Sequence, residues 1–499
     1  MTSTATSVVT PVRPVAVLEP SDRDSLLATC RRGLDQARRS HRPVLISWAK
    51  PFSLADPVAI WRRARRGTPR SFLWQSAWDR GSVVAIGSAR DLRGRGENRV
   101  TLVRDGWQAL TRDLVAGGTE VTELPVGEGP LAIGGFAFSP EDASGKGRLP
   151  DALVWVPALQ IRGTVPDRAG GDRPVPAELR LNAVLLHDSD PEQVTDGLAH
   201  LAGLCLPPET AAGAPESAYA SQRTYSRTEL PDADHWKGLV RRATGRIRDG
   251  AFEKVVLARE LRVTASSPFD VPTAVNRLRT AYPDTTVFAV DHEEYTFLGA
   301  TPEYLVRVDG RAVHALGLAG TAPRGLTPEQ DAALALELAG SAKIQHEHDV
   351  VVQMLRDALR DSCVDVASDE EPSVVKLANV QHLSTAVRGE LGADSTAGIL
   401  DFVDRLHPTP ALGGHPRKES LSWLSDNEGL DRSWYAGVVG WADRSGQGQF
   451  AVTIRSALVD GPSASLYAGC GIVADSDPEA EHAESCAKLR PMMSALGIE

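Results

Sequence analysis

In the run LVRVDGRAVHAL, two stretches of alternating apolar residues meet across Asp309-Gly310, a dipeptide suited to the left-handed backbone of a two-residue hairpin turn. The signal recurs at Asp460-Gly461 within GWADRSGQGQFAVTIRSALVDGPSASLYAG, which reads as a continuing meander. Strands joined this tightly must pair antiparallel, because a parallel pair needs a crossover of about a dozen residues or more. Around these hairpins, helices and strand pairs follow one another without a regular βαβ repeat. The expected fold class is therefore α+β with mainly antiparallel sheets. In the N-terminal half, SFLWQSAW, SVVAIGSA, PLAIGGFAFS and DALVWVPALQI read as strands separated by Gly, Asp and Pro. No repeat is visible in the sequence, yet two sheet-rich halves are compatible with a structural duplication.

The chain has 499 residues, 42% of them hydrophobic, which is enough for a large core. Segments 167–176 and 207–221, rich in Gly, Pro and polar residues, read as linkers or surface excursions. The second separates a lobe over 21–225 from one over 226–499, behind a flexible Ser/Thr/Val/Pro-rich tail at 1–20. Both lobes are expected to form one structural domain. A net charge of -11 argues against nucleic acid or an anionic membrane as a partner, since both need clustered positive charge. Five cysteines without CxxC spacing indicate neither a disulfide framework nor a zinc site, so reduced cytoplasm is the expected compartment. No apolar run reaches the length of a membrane helix, and no coiled-coil heptads point to an oligomer, so a monomer is expected. RGRGEN, around Gly94 and Gly96, is an incomplete dinucleotide fingerprint and reads as a loop.

Four segments carry chemistry. AFEKVVLARELRV is strand-like, and alternation puts Phe252, Lys254, Val256 and Ala258 on one face. Burial there disfavours an ammonium and would let Lys254 act as a base near neutral pH; an edge-strand lysine is the alternative. In FLGATPEYLVRV, Glu303 follows the Thr301-Pro302 break, either as a surface carboxylate or as an acid whose pKa is raised by a semi-apolar pocket. LGLAGTAPRG places Gly320 and Thr321 at a turn whose amides and hydroxyl suit a carboxylate. Thr327, Pro328 and Gln330 form a capping box, followed by a second helical stretch, SAKIQHEHDVVVQMLRDAL, in which Ile344, Glu347, Val351 and Met354 share a stripe. A carboxylate facing inward requires a metal, a lysine or a proton, and a hard cation such as Mg2+ suits such a site. His346 and His348 do not make the HExxH zinc arrangement and read as ordinary helix histidines.

LHPTPALGGHP is an irregular loop, and Arg455 in FAVTIRSAL is placed either to reach an anionic ligand or to lie on the surface. Near the C-terminus, AGCGIVADSDPEAEHAESCAKL signals a helix with Asp477 at the N-cap, Pro478 at the first position and Glu479 in the first turn. Glu481, Glu484 and Lys488 fall on one face of it. Crowded carboxylates call for a bound metal or the Lys488 ammonium between them; the other reading is a solvated acidic face. Just upstream, Gly469 and Gly471 let the backbone approach a ligand.

Together, EKVVLAR, GATPE, LAGT, the Glu347 helix, HPTPALGG, YAGVVGW, TIRSA, AGCGIV and EAEHAESCAKL resemble, in order and spacing, the motif set of the chorismate-utilising enzymes over about residues 235–497. The N-terminal half shares only PLAIGGFAFS. The resemblance implies a single large two-lobed domain with two sheets packed between helices, chorismate as substrate and Mg2+ as cofactor. By position, Lys254 matches the general base that activates water and Glu303 the general acid that protonates the leaving hydroxyl. Glu347 and Glu481 match the metal glutamates, with Glu484 close by, while Gly320, Thr321, Tyr435, Arg455, Gly469, Gly471 and Lys488 match substrate-carboxylate positions.

Ammonia-dependent members usually carry Gln where Lys254 stands, and the aminodeoxychorismate type has Lys in place of Ala319. This chain therefore resembles the water-using members, and no glutamine amidotransferase subunit is expected. KVVLAR, LHPTPALGG and the long N-terminal half resemble isochorismate synthases of menaquinone or siderophore biosynthesis. These isomerise chorismate by adding water at C2 and releasing the 4-hydroxyl. Salicylate synthases share nearly every polar residue and go on to eliminate pyruvate; a catalytically silent chorismate-binding protein is the remaining alternative.

Overall fold

The structure is a computed structural model that describes residues 17–140, 148–165, 174–206, 223–376 and 380–498, apart from the Lys343 side chain. Two sheets, of thirteen and ten strands, dominate it. Pairing among the described strands is antiparallel except between Val44–Leu54 and Val115–Gly118. Both Asp-Gly signals are hairpins: Tyr304–Asp309 turns into Ala312–Pro323 with Gly310 at φ 58°, and Ser456–Asp460 turns into Ser463–Ile472 with Gly461 at φ 51°.

The meander expected from the second signal is divided. Val438–Ala442 and Gly448–Val452 pair in the smaller sheet, whereas Ser456–Asp460 and Ser463–Ile472 belong to the larger. The chain crosses between sheets at Thr453–Arg455, where the Thr453 hydroxyl donates to the Trp434 carbonyl and Arg455 takes φ 51°. Within the segment read as a linker at 167–176, Val175 and Pro176 begin the strand Val175–Leu185; the rest up to 173, and all of 207–221, lie outside the described residues. At the other end, Glu19 caps the helix Pro20–Ser40 and Val17 and Leu18 pack on the core, while residues 1–16 of the expected tail lie outside the description.

The two halves of the chain meet inside both sheets. In the larger one, Arg70–Gln75 pairs with Thr286–His292. Reading outward from that junction, the N-terminal side runs Gly81–Ile86, Leu159–Thr164, Val175–Leu185, Val44–Leu54, and the C-terminal side runs Tyr295–Thr301, Ser456–Asp460, Ser463–Ile472, Lys254–Ala265. The order of strands along the chain is the same on both sides. In the smaller sheet Ala132–Phe136 meets Val438–Ala442 in the same symmetric manner. This is the internal duplication that the sequence leaves invisible.

One core cluster gathers side chains from both sheets, among them Phe72, Trp74, Ile133, Trp155, Leu305 and Phe450. A second lies between the larger sheet and the helices Pro20–Ser40, Pro191–Cys205, Val271–Ala281 and Pro478–Leu496, through residues such as Leu26, Leu198, Leu278 and Met492. Each fully buried Leu, Val or Phe contributes about 1.5–3 kcal/mol relative to exposure, so the sheets form a stiff platform for polar residues at their edges.

Candidate active site

Lys254 opens the strand Lys254–Ala265, pairing with His415 at its start, while Val256 lies opposite Gly471 on Ser463–Ile472. Its carbonyl accepts the Ser420 hydroxyl at 2.9 Å, which fixes the backbone at this point. The residue is only 7% exposed, and Nζ donates to Glu347 Oε1 at 2.5 Å. Glu347 comes from the helix Ala342–Arg360, whose N-cap is Ser341 and whose Val351 and Leu355 are buried against the sheet. A Cβ at Gly471 would lie 2.8 Å from Lys254 Cε and 3.3 Å from Nζ. The glycine is therefore required by the lysine as well as by any ligand. A cavity of about 700 Å³ opens over the ion pair, lined among others by Phe252, Lys254, His346, Glu347, Pro410 and His415.

Glu303 stands between two strands, its amide donating to Thr301 Oγ1 and its carbonyl accepting from Val452 N at 3.0 Å. It is 6% exposed, and burial pushes its carboxyl up to about 8 against the opposing pull of Lys254 and Arg455. Arg455 is tucked in beyond the strand end rather than alternating along it. Burial disfavours its cation, which lies within electrostatic reach of Tyr435, Glu484, Cys470 and Glu303. Tyr435 is stacked on Tyr467 with ring centroids 5.4 Å apart, and burial raises its phenol to about 12. A Cβ at Gly469 would come within 3.0 Å of its hydroxyl.

Gly320 and Thr321 are not at a turn. They lie inside Ala312–Pro323 where the register shifts between Ala319 and Ala322, and Gly320 has φ 72°. A positive-φ glycine fits a bulge as well as a turn. The bulge turns the Gly320 carbonyl toward His382, whose Nδ1 donates to it at 2.9 Å and lies 3.3 Å from Thr321 Oγ1. Burial, together with the Arg455 and Lys488 cations, holds His382 down to about 3, so the ring is neutral with its proton on Nδ1. His382 was missed in the sequence, where nothing about a histidine in VQHLST distinguishes it. His348 is buried against Thr385 Oγ1 at 2.7 Å and is structural, as expected.

The C-terminal helix Pro478–Leu496 starts as its sequence indicates, with Asp477 accepting from the amides of Glu479 and Ala480. Lys488 Nζ donates to the Gly469 carbonyl at 2.9 Å and pairs with Glu484 at 2.6 Å. Burial works against its ammonium, but Cys470 and Glu484 hold it above the ordinary lysine range. Ser476 donates to Glu481 Oε1 at 2.7 Å. Ligand atoms of Glu481, Glu484 and Cys470 lie within 4.8 Å of one another. Glu347, grouped with these glutamates in the sequence, is instead placed against Lys254; Cys470, between the two glycines, was overlooked as their neighbour. Of the site candidates, Lys254 and Glu347 line the cavity.

The chain matches the chorismate binding enzyme family over residues 32–497. It is 33% identical to isochorismate synthase MenF of Bacillus subtilis, covering 93% of this chain and 96% of that one. It is 34% identical to the salicylate biosynthesis isochorismate synthase of Pseudomonas aeruginosa, covering 95% and 94%. Among solved structures, a putative 2,3-dihydroxybenzoate-specific isochorismate synthase, DhbC, from Bacillus anthracis aligns with a TM-score of 0.67 at 27% identity over 88% of this chain and all of that one. The menaquinone-specific isochorismate synthase of Escherichia coli shares the fold, with a TM-score of 0.74 at 24% identity over 94% of this chain and all of that one.

Proposed function

This chain belongs to the chorismate binding enzyme family, and we propose that it is an isochorismate synthase in which Lys254 and Glu303 act as base and acid on opposite sides of chorismate. The observation that carries the reading is a buried carboxyl that keeps its proton to about pH 8, within electrostatic reach of a buried lysine amine. Proton removal from water and proton delivery to a leaving hydroxyl need such a pair in one dry cavity.

The donor set supports a hard dication. Carboxylates of Glu481 and Glu484 converge in a partly buried position, where two negative charges outnumber the single Lys488 ammonium on Glu484. These two would hold Mg2+; Glu347, the third glutamate proposed for the metal, is paired with Lys254. Bound there, Mg2+ would neutralise the ring carboxylate of chorismate and polarise the conjugated system.

The protein's own groups do the rest. Arg455, Lys488 and the Tyr435 hydroxyl supply donors for the substrate carboxylates, in a pocket whose burial strengthens each contact. As the proposed base, Lys254 takes the proton from water as the water oxygen bonds to C2. Glu303 gives its proton to the departing 4-hydroxyl, which leaves as water. The two side chains end with the reverse protonation and return to the starting state by exchange through the cavity that opens beside Lys254. His382, neutral and donating to Gly320, keeps that bulge in place without adding a further cation.

Cytoplasmic action as a monomer, without an amidotransferase partner or a nucleic-acid or membrane partner, fits this chemistry; among the described residues no helix is long and apolar enough to cross a membrane. Incubation with chorismate and Mg2+, followed by chromatography, tests the proposal. Isochorismate without pyruvate is expected. Salicylate and pyruvate in equal amounts would assign the salicylate synthase reaction, and chorismate binding without turnover would leave a silent binding protein.

A further inference from the structure

We infer that Arg259 is a positioning residue that sets the rotation of the first turns of the C-terminal helix and so aims Glu481 and Glu484; the inference rests on the dication assignment above. Arg259 lies on the same strand as Lys254 and is 1% exposed. Its Nη1 donates to Ser485 Oγ at 2.9 Å and Cys486 Sγ at 3.3 Å and lies 2.9 Å from His482 Nε2. Its Nη2 pairs with Glu229 on the neighbouring strand Tyr225–Leu230 at 3.1 Å. Positions 482, 485 and 486 share one strip of the helix. Glu481, Glu484 and Lys488 form the adjacent strip, so any rotation about the axis moves both sets together.

The helix is also touched here by the Cys470 thiol, which donates to the Glu481 carbonyl at 3.3 Å, and by Trp236, whose ring lies 6.0 Å from that of His482. The buried apolar residues of the helix begin at Leu489 and continue through Met492, Ala495 and Leu496. Pro491, within that apolar part, lacks the N–H that would bond back to residue 487, which loosens the helix just before it. Lys237 pairs with Glu479 at 2.6 Å, but the Glu479 side chain is 71% exposed and such a pair restrains little. Lys488 reaches Gly469, yet it belongs to the ligand-facing strip itself. The planar guanidinium, holding three side chains along one strip while tied to a second strand, is what resists rotation. A lysine ammonium has no such fork. One strand thereby carries both the proposed base and the clamp for the carboxylates, so their relative position is set by a single stretch of backbone.

The test uses Mn2+ as a paramagnetic stand-in for Mg2+ on the full chain without substrate, counting free Mn2+ by electron paramagnetic resonance. Arg259→Lys should raise the Mn2+ Kd by about tenfold or more, in the range seen when groups behind metal ligands are lost. Ser485→Ala, which removes one acceptor on the helix and is gentler on folding, should weaken binding in the same direction. Lys237→Ala should bind Mn2+ as the unmodified protein does, and all three should melt within a few degrees of it in the absence of metal. Unchanged Mn2+ affinity in both Arg259→Lys and Ser485→Ala would overturn the inference, as would an equal loss in Lys237→Ala. Absence of Mn2+ binding by the unmodified protein would instead remove the dication assignment, and the inference with it.

Discussion

Lys254 Nζ lies 2.5 Å from Glu347 Oε1, joining the start of one strand to the inner face of a helix across the floor of the main cavity. A buried lysine needs such a partner until it is called on as a base. Replacing Lys254 with Ala or Gln should lower kcat by about 100- to 10,000-fold, the usual contribution of a positioned proton acceptor, with little change in KM for chorismate. Steady-state kinetics check this, and near-normal kcat in Lys254→Ala would remove the residue from the chemistry.

Glu303 should set the alkaline limb of the rate profile. Its folded carboxyl titrates near 8, so the acid form is present below that pH and lost as pH rises through it. Turnover should therefore fall above about pH 8, and Glu303→Gln should lose about 100-fold or more at every pH. Stability gives a second reading of the same proton. A folded pKa above the unfolded value means that the native state binds more protons, so stability declines as pH rises from the ordinary glutamate range toward 8. Glu303→Gln, unable to ionise, should flatten that decline in denaturant melts.

Gly471→Ala separates geometry from folding. Its Cβ would sit 2.8 Å from Lys254 Cε, so the lysine must shift. A displacement of this kind should cost about 10- to 100-fold in kcat. Strain should cost about 1–3 kcal/mol of stability, leaving the protein folded. Activity equal to the unmodified enzyme would show that Lys254 has more freedom than its surroundings indicate.

Glu484→Gln removes one of the two converging carboxylates and the partner of Lys488. The Mg2+ concentration for half-maximal turnover should rise by about tenfold or more. Chelation by EDTA should abolish turnover reversibly. Turnover that persists after exhaustive chelation would exclude the dication role.

In the N-terminal half, Arg162 and Arg180 clamp Glu178 in full burial, and Arg162 also holds the carbonyls of Val121 and Val126. Although burial opposes it, the two guanidiniums keep the Glu178 carboxyl below its ordinary range. Arg162→Met should destabilise the protein by about 3–5 kcal/mol in urea melts, because Glu178 loses one of its two buried cations and the Val121 and Val126 carbonyls lose their donor. The Glu178 contribution is present above the ordinary glutamate range and lost on acidification through it.

What was legible in the sequence was local. The Asp-Gly hairpins, the Asp477 cap with Pro478 behind it, and the Thr327 cap depend on backbone geometry within a few residues, and each is found where the pattern put it. Partner choice is not local. Burial of Glu347 called for a metal, a lysine or a proton, and only the fold brings Lys254 to it. The divided meander has the same origin: both sides of Thr453 are good strands, and which sheet each joins depends on edges built by residues far away in the chain. Gly320 announced positive φ but not whether it served a turn or a bulge, and His382 carried no mark until the bulge placed a carbonyl beside it. The duplication, compatible with two sheet-rich halves, leaves no repeat in the sequence because strand order can repeat while side chains diverge.

The most direct test of the central claim is the fate of solvent oxygen during turnover. In H2 18O with chorismate and Mg2+, mass spectrometry should find one solvent oxygen in isochorismate, at C2, and Lys254→Ala should incorporate none on the same timescale. Isochorismate that retains only substrate oxygen, or label that enters as fast without the lysine as with it, would contradict the account.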